Sequence, residues 1–182
     1  PHPFGLPPDQ LPVPQLKLPK GFKIEVYASG IPNARSLRIG DKGTVFVSNR
    51  LLDKVYAIAD RNGKREVKVI ASGMDRPNGL AFHQGTLYIA ELSKVSKIEK
   101  VEDVLDNPPK PTLIYDKLPK DEAHGWKFIG IGPDGQRAQV HRLRAYVVGR
   151  AGAGQHQQAV DERLQSIRFL EHAADGDAIA VG

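Results

Sequence analysis

Residues 79–90 read GLAFHQGTLYIA, and this short stretch is enough to predict the fold class. Residues 79–82 and 86–90 are apolar runs of strand length, and His83-Gln84-Gly85 separates them. Two such runs joined by a short turn that contains glycine predict a β-hairpin. The chain is therefore expected to contain an antiparallel sheet with one of its turns at Gly85.

The hairpin pattern recurs along the chain. Residues 36–48 read SLRIGDKGTVFVS, so Gly43 lies 42 residues before Gly85, and a third turn glycine, Gly135, follows 50 residues after Gly85. Between the first two lies a further hairpin, residues 54–70, with an Asn-Gly turn. A period in the forties with four strands per period is typical of β-propeller blades. The sequence predicts an all-β fold with about 2.5 such blades, and another kind of antiparallel sheet is the alternative.

A polar residue beside a small one precedes each repeated hairpin. The three pairs are Arg35-Ser36, Asn78-Gly79 and His124-Gly125, spaced by 43 and 46 residues. The first strand of each propeller blade lines the central channel, so these residues are expected to converge on one rim of that channel. The other interpretation is structural: Arg35 and Asn78 stabilise turns by hydrogen bonds, and His124 caps a strand.

The predicted blades span residues 23–135 and follow an extended lead-in. Seven of the fourteen prolines lie in residues 1–22, and proline fixes φ and lacks an N–H donor, so this segment is predicted to be extended. Residues 22–28 then alternate apolar and polar side chains. That alternation predicts the first strand of the chain.

Residues 136–182 differ in composition from the rest of the chain. No proline or lysine follows Pro133, and residues 149–158 consist only of Gly, Ala, Gln, Arg and His. Apolar residues at helical spacing predict a helix near 159–173. We expect a short, atypical tail outside the propeller, with the composition that an out-of-frame reading of a GC-rich gene produces. A native appended segment is the alternative.

Composition and charge exclude several classes of protein. The chain has 182 residues, a net charge of +5 and no cysteine, so disulfides and thiolate chemistry are excluded. Residues 1–135 carry 20 basic against 16 acidic side chains and residues 136–182 carry six against five, so no basic block points to nucleic acid. No apolar run approaches the roughly 20 residues that span a membrane. The sequence leaves the oligomeric state open.

Several runs of residues resemble the N-terminal part of the glucose/sorbosone dehydrogenase family. They are LPKGFKI at 18–24, RPNGLAF at 76–82, DNPP at 106–109, HGWKF at 124–128 and GPDG at 132–135. The similarity covers residues 16–135 and is closest to the L-sorbosone dehydrogenase-like branch. Members are six-bladed propellers that use pyrroloquinoline quinone (PQQ), so the resemblance implies part of a six-bladed propeller here.

The resemblance also implies a reaction and a site. In the family a histidine ahead of an inner strand takes the proton from a sugar hydroxyl while the hydride passes to the quinone, and His124 stands in that place. An imidazole suits this role because it titrates near neutral pH. Asn78, Arg35 and Arg50 are then candidate contacts to the cofactor, because guanidinium groups pair with carboxylates. A small sugar or aldehyde substrate, bound calcium and a periplasmic or secreted location are implied as well.

Family members continue with further blades that supply an aspartate, basic cofactor contacts and calcium ligands. Nothing after Gly135 matches those blades, so we expect an N-terminal fragment that is inactive alone, and no metal ligand is assigned in it. Two other functions stay open. One is a lactonase-type propeller that binds a divalent metal, with Glu91 and Asn78 as candidate ligands. The other is a non-catalytic propeller module that binds a partner on its channel face.

Overall fold

The computed structural model describes residues 7–120 and 125–131 in full and residues 137–142, 167–171 and 178–181 as backbone strands. The strands are β1 Ala34–Ile39, β2 Val45–Asn49, β3 Val55–Arg61, β4 Lys64–Ala71, β5 Gly79–His83, β6 Thr86–Ala90, β7 Val95–Ile98, β8 Thr112–Tyr115, β9 Lys127–Ile131, β10 Arg137–Arg142, β11 Ile167–Glu171 and β12 Ala178–Val181. Three short 3₁₀ helices lie at Pro8–Gln10, Val13–Gln15 and Val101–Asp103.

Consecutive strands pair antiparallel and form three four-stranded sheets, which are β1–β4, β5–β8 and β9–β12. Each sheet is a meander, because every strand lies beside its neighbour in the sequence. The predicted all-β class is confirmed. The arrangement is consistent with part of a propeller, whose blades are four-stranded sheets of this kind.

Two of the predicted turns have the backbone that two-residue hairpins require. Asn62 and Gly63 join β3 to β4 with φ of 55° and 78°, and Gln84 and Gly85 join β5 to β6 with φ of 46° and 75°. Positive φ at both central residues defines the type I′ turn, whose twist matches that of the strands it joins. Both predicted hairpins, the one with the Asn-Gly turn and the one with the Gln-Gly turn, are thus confirmed.

The second sheet, β5–β8, packs against the first sheet on one face and against β9 of the third sheet on the other. Its Leu80, Leu87 and Ile89 belong to the core shared with the first sheet, where Phe46 stacks on Phe82 at 5.7 Å between ring centroids. On the opposite face, a second cluster includes Ile129 of β9. Successive side chains of a strand point to opposite faces of the sheet, so the same strands contact the first sheet on one face and β9 on the other.

The first strands of the three sheets lie next to one another, with β5 in contact with both β1 and β9. The approach of β5 to β9 is close at Gly79, where an added Cβ would lie 2.7 Å from the carbonyl oxygen of Lys127 and 2.9 Å from the amide nitrogen of Ile129. Glycine is thus required at position 79 because backbone of another sheet occupies the side-chain space. This contact brings Asn78, the residue before Gly79, next to the start of β9.

The prediction of a strand at residues 22–28 is wrong, since that segment joins no sheet among the described residues. A strand exists through its ladder of hydrogen bonds, and alternation of side chains does not supply a partner edge. The segment is instead held by side chains: Arg65 pairs with Glu25 at 3.2 Å and lies 3.9 Å over the ring of Tyr27. Phe22 is left 70% exposed.

The tail also differs from its prediction. Strands β10–β12 all come from residues 136–182, and they pair in order with β9 to complete the third sheet, so this tail does not lie outside the fold. Ile167–Glu171 is a strand where the spacing predicts a helix, because its backbone pairs with Arg137–Val140 of β10. The rest of the span 159–173 lies outside the described residues. The out-of-frame origin of the tail stays a prediction.

Candidate functional site

The starts of the three inner strands meet around the side chain of Asn78. Arg35 lies in β1, Asn78 directly precedes β5 and Lys127 begins β9. The Oδ1 atom of Asn78 accepts from Nε of Arg35 at 3.4 Å, and its Nδ2 atom donates to the carbonyl oxygen of Lys127 at 2.9 Å. One amide therefore joins segments of three different sheets, and we call this part of the molecule the rim.

Ser48 extends the rim network into the first sheet. Its hydroxyl donates to the carbonyl oxygen of Asn78 at 2.7 Å and accepts from the amide of Ser36 at 3.1 Å. Ser48 and Asn78 are both 0% exposed. Buried hydrogen bonds of this kind hold their partners in one arrangement, because any partner left unpaired away from water is costly.

Lys127 is the residue of the rim that the sequence did not single out. Only 2% of it is exposed, and its Nζ atom donates to the carbonyl oxygens of Pro119, at 2.9 Å, and Gly125. A lysine is seldom buried without partners for its ammonium group. The signal was present in the sequence, since Lys127 is a charged residue at the start of the apolar run FIGI.

Arg50, at the end of β2, belongs to the same side of the molecule. Its guanidinium carbon lies 4.3 Å from the centroid of the Trp126 ring, which is a cation–π distance. Trp126 directly precedes Lys127, so the contact ties the first sheet to the chain segment that enters β9. Trp126 is half-buried, and its ring both packs and bears a cation.

Glu91 follows β6 and is 1% exposed, yet it does not join the rim network. Its Oε2 atom accepts from the amide of Asp75 at 2.6 Å and pairs with Nζ of Lys94 at 3.4 Å. Burial raises the pKa of this carboxyl, while the Asp75 amide and the Lys94 ammonium oppose that shift. Glu91 also lines a cavity of about 420 Å³, with Met74 and Pro108–Pro111 among its other walls.

The structure places Arg35 in contact with Asn78. It places Arg50 over Trp126, the residue before Lys127, and the carbonyl of Lys127 bonds to Asn78. His124 lies outside the described residues. Arg35 is exposed and Arg50 half-buried, so two guanidinium groups are available on this side of the molecule, and they suit a ligand with several carboxylates. Asn78 is different, because it is fully buried and both ends of its amide already have partners within the chain.

Two absences concern only the residues that the structure describes. Within them, no three His, Asp or Glu side chains lie close enough together to hold a metal ion. Over the same part of the chain, no helix has the length and apolar character needed to cross a membrane.

The sequence matches no protein-family model and no curated protein. The structure resembles the holo form of the PQQ domain of pyranose dehydrogenase from Coprinopsis cinerea, with a TM-score of 0.53 and 15% identity over 78% of this chain. It also resembles the PQQ-bound aldose sugar dehydrogenase of Streptomyces coelicolor, with a TM-score of 0.49 and 14% identity over 81% of this chain. A third similar structure is an oxidoreductase from Thermus thermophilus described as a glucose dehydrogenase, with a TM-score of 0.48 and 17% identity over 81%.

At these identities the likeness concerns the fold. The chain spans 34%, 47% and 46% of the three solved chains, respectively. Two of these three solved structures are described as sugar dehydrogenases with PQQ and the third as a glucose dehydrogenase, and each is more than twice as long as the part that this chain matches.

Proposed function

We propose that this chain is the N-terminal part of a PQQ-dependent sugar or aldehyde dehydrogenase, a six-bladed propeller of the L-sorbosone dehydrogenase-like kind. The observation that carries the proposal is the meeting of Arg35, Asn78 and the start of β9 at one rim. His124 stands three residues before Lys127 in the sequence, and the resemblance gives it the role of the base. The fold likeness to sugar dehydrogenases supports the same conclusion.

In this proposal His124 is the general base that takes the proton from the substrate hydroxyl. The quinone, when bound, accepts the hydride, and the protein supplies position and charge. Arg35 and Arg50 hold the carboxylates of the cofactor, because a guanidinium group offers paired donors. The amide of Asn78 bonds to Arg35 and Lys127 and the residue is 0% exposed, so its main part is to hold the rim together.

The remaining elements of the proposal follow the resemblance. The substrate is a small sugar or aldehyde, and the protein works in the periplasm or is secreted. Calcium accompanies the cofactor in this proposal, and among the described residues no group of three or more His, Asp or Glu side chains is placed to hold it. We therefore expect the chain alone to show little or no dehydrogenase activity.

Cofactor binding is tested through Trp126, the only tryptophan of the chain. PQQ is expected to quench its emission on titration, and a joint Arg35→Gln and Arg50→Gln variant is expected to weaken binding about tenfold or more, because charge-assisted bonds to carboxylates are lost. Arg38→Gln is the control, since Arg38 is exposed and bonds only to the neighbouring Leu37 carbonyl. Absence of quenching, or equal affinity in the joint variant, would refute this cofactor site.

Activity is tested by a dye-linked assay with glucose or sorbosone, added PQQ and calcium. The expected result is no turnover above that of the His124→Ala variant. Robust turnover that His124→Ala abolishes would overturn the expectation of inactivity while supporting the base. Turnover that persists in His124→Ala would refute the base.

The lactonase-type alternative requires Glu91 and Asn78 to share a metal ion. Glu91 bonds to Asp75 and Lys94, whereas Asn78 bonds to Arg35 and Lys127, so the two side chains serve different contacts. Activity on a lactone that needs metal and not quinone would favour that alternative. Partner binding that survives substitution of Arg35, Asn78 and His124 would count against the non-catalytic module.

A further inference from the structure

A cavity of about 420 Å³ lies between β4 of the first sheet and β7 of the second. Residues 69–71 of β4 line one side of it, and Ser96 of β7 lines the other. Ser96 pairs with Ile89, whose side chain belongs to the core shared with the first sheet, so both side chains lie on the face that meets that sheet. The volume is within the range of about 300–1,000 Å³ that small-molecule sites occupy.

Two buried polar side chains on the cavity walls have bonding capacity that the chain does not use. Ser96 is 5% exposed, and its hydroxyl has no hydrogen-bond partner within residues 7–120 and 125–131. Glu91 is 1% exposed, and its Oε2 atom makes both of its contacts, to the Asp75 amide at 2.6 Å and to Nζ of Lys94 at 3.4 Å. Its Oε1 atom has no partner among the same residues. Buried polar groups normally have partners, so these two atoms indicate where a ligand can bond.

The charges on the cavity walls favour a ligand with a single negative charge. Lys94 pairs with Glu91, whereas Lys110 is exposed and makes no ion pair with any residue that the structure describes. An amine ligand would meet two ammonium groups and only one carboxylate, and Glu91 would oppose a ligand with two negative charges. One carboxylate on the ligand, in contrast, forms charge-assisted hydrogen bonds with the ammonium group of Lys110.

The remaining walls are apolar. Ile70 is 2% exposed and Met74 is 8% exposed, and the prolines at 108, 109 and 111 have no N–H to donate. A carbon skeleton can pack on these walls, which leaves the hydrogen bonding to the polar groups.

We propose that this cavity is a binding site for a small polyhydroxy monocarboxylate, the chemical class of the sugar acids. The carboxylate of the ligand pairs with Lys110, one hydroxyl donates to Oε1 of Glu91, and another bonds to the hydroxyl of Ser96. The site shares no residue with the rim, so it is a further site beyond the proposed function and does not rest on it.

Gluconate is the probe, and the amide signals of residues 69–74 and 94–96 in the NMR spectrum of the full chain are the readout. Saturable shifts are expected, with a dissociation constant of about 1 mM. Glucose lacks the carboxylate and hexanoate lacks the hydroxyl groups, so each is expected to bind at least about tenfold more weakly. Absence of saturable shifts with gluconate, or equal affinity for either of the other two compounds, would overturn the proposal.

Two variants test the assigned contacts. Lys110→Gln is expected to weaken gluconate binding about tenfold and Ser96→Ala about threefold, because each removes one contact to the ligand. Lys64→Gln is the matched control, since Lys64 is an exposed cation in β4 that does not line the cavity. Unchanged affinity in Lys110→Gln would overturn the site, and because Lys110 is exposed this variant decides the matter even if Ser96→Ala does not fold.

The guanidinium groups of the rim also attract carboxylates, so a further variant separates the two sites. The joint Arg35→Gln and Arg50→Gln variant is expected to keep its affinity for gluconate. Loss of gluconate binding in that variant, with binding retained in Lys110→Gln, would place the ligand at the rim and overturn the cavity site. Failure of PQQ to bind while gluconate still shifts residues 94–96 would refute the proposed cofactor site and leave this one standing.

Discussion

The buried side chain of Asn78 donates a hydrogen bond of 2.9 Å to the carbonyl oxygen of Lys127, 49 residues further along the chain. The side-chain oxygen of Asn78 accepts from Arg35, 43 residues earlier, and the backbone carbonyl of Asn78 accepts from the hydroxyl of Ser48. A single residue therefore connects the inner ends of three sheets. Because all of these bonds are internal, their energy depends on the sheets keeping their relative positions.

Replacing Asn78 with Ala is expected to lower the free energy of unfolding by about 1–3 kcal/mol, because the Lys127 carbonyl loses its partner while still buried. Urea unfolding followed by circular dichroism measures the change. Asn107→Ala is the control, since Asn107 is exposed. Equal stability of the two variants would show that the amide does not hold the rim.

Gly79→Ala is expected to destabilise the protein by about 1–3 kcal/mol, because the new Cβ meets backbone atoms of β9 that cannot move aside independently. The closest of them is the Lys127 carbonyl oxygen at 2.7 Å. Gly130→Ala is the matched control in β9 itself, since no described atom lies within 4 Å of its Cβ position. Thermal unfolding compares the two, and similar midpoints would contradict the close approach of β5 and β9.

Glu91 predicts a pH dependence of stability. Burial raises its pKa above the ordinary value of 4.5, so the folded protein binds this proton more tightly than the unfolded chain does. Ionised Glu91 therefore weakens the folded state, and its cost develops as the pH rises from about 4.5 through the folded-state pKa. Glu91→Gln keeps an uncharged acceptor and is expected to remove that part of the decline.

Urea midpoints at several values between about pH 4 and pH 8 test this, with the stability of Glu91→Gln relative to the original protein expected to increase with pH. Glu99→Gln, at a position whose side chain is 67% exposed, is the control. A difference between Glu91→Gln and the original protein that stays constant across this pH range would show that the carboxyl does not titrate as described.

Arg50→Gln is expected to alter the emission of Trp126 and to destabilise the folded protein by about 0.5–2 kcal/mol, because the guanidinium group over the ring is lost. The single tryptophan makes the fluorescence change unambiguous. Arg38→Gln, which leaves the Trp126 contact intact, should leave the emission unchanged. An identical spectrum in Arg50→Gln would mean that the cation does not cover the ring in solution.

Local sequence was sufficient for the hairpins of the first two sheets. The Asn62-Gly63 and Gln84-Gly85 turns depend on residues that tolerate positive φ, and the neighbouring strands follow from apolar runs of a few residues. The same local reasoning failed at residues 22–28 and at Ile167–Glu171. Alternation could not reveal that the first segment has no pairing edge, and helical spacing could not reveal that the second pairs with β10.

The candidate site shows the same division. The repeat of polar residues ahead of each hairpin marked Arg35 and Asn78, and the structure places them in contact. The sequence pattern did not predict that Lys127 is buried or that the Asn78 amide bonds to two other segments, because the partners of both residues lie elsewhere in the chain. Turns form from the φ preferences of adjacent residues, so sequence suffices for them. Ladders and buried polar contacts need groups distant along the chain, so they depend on how the sheets pack.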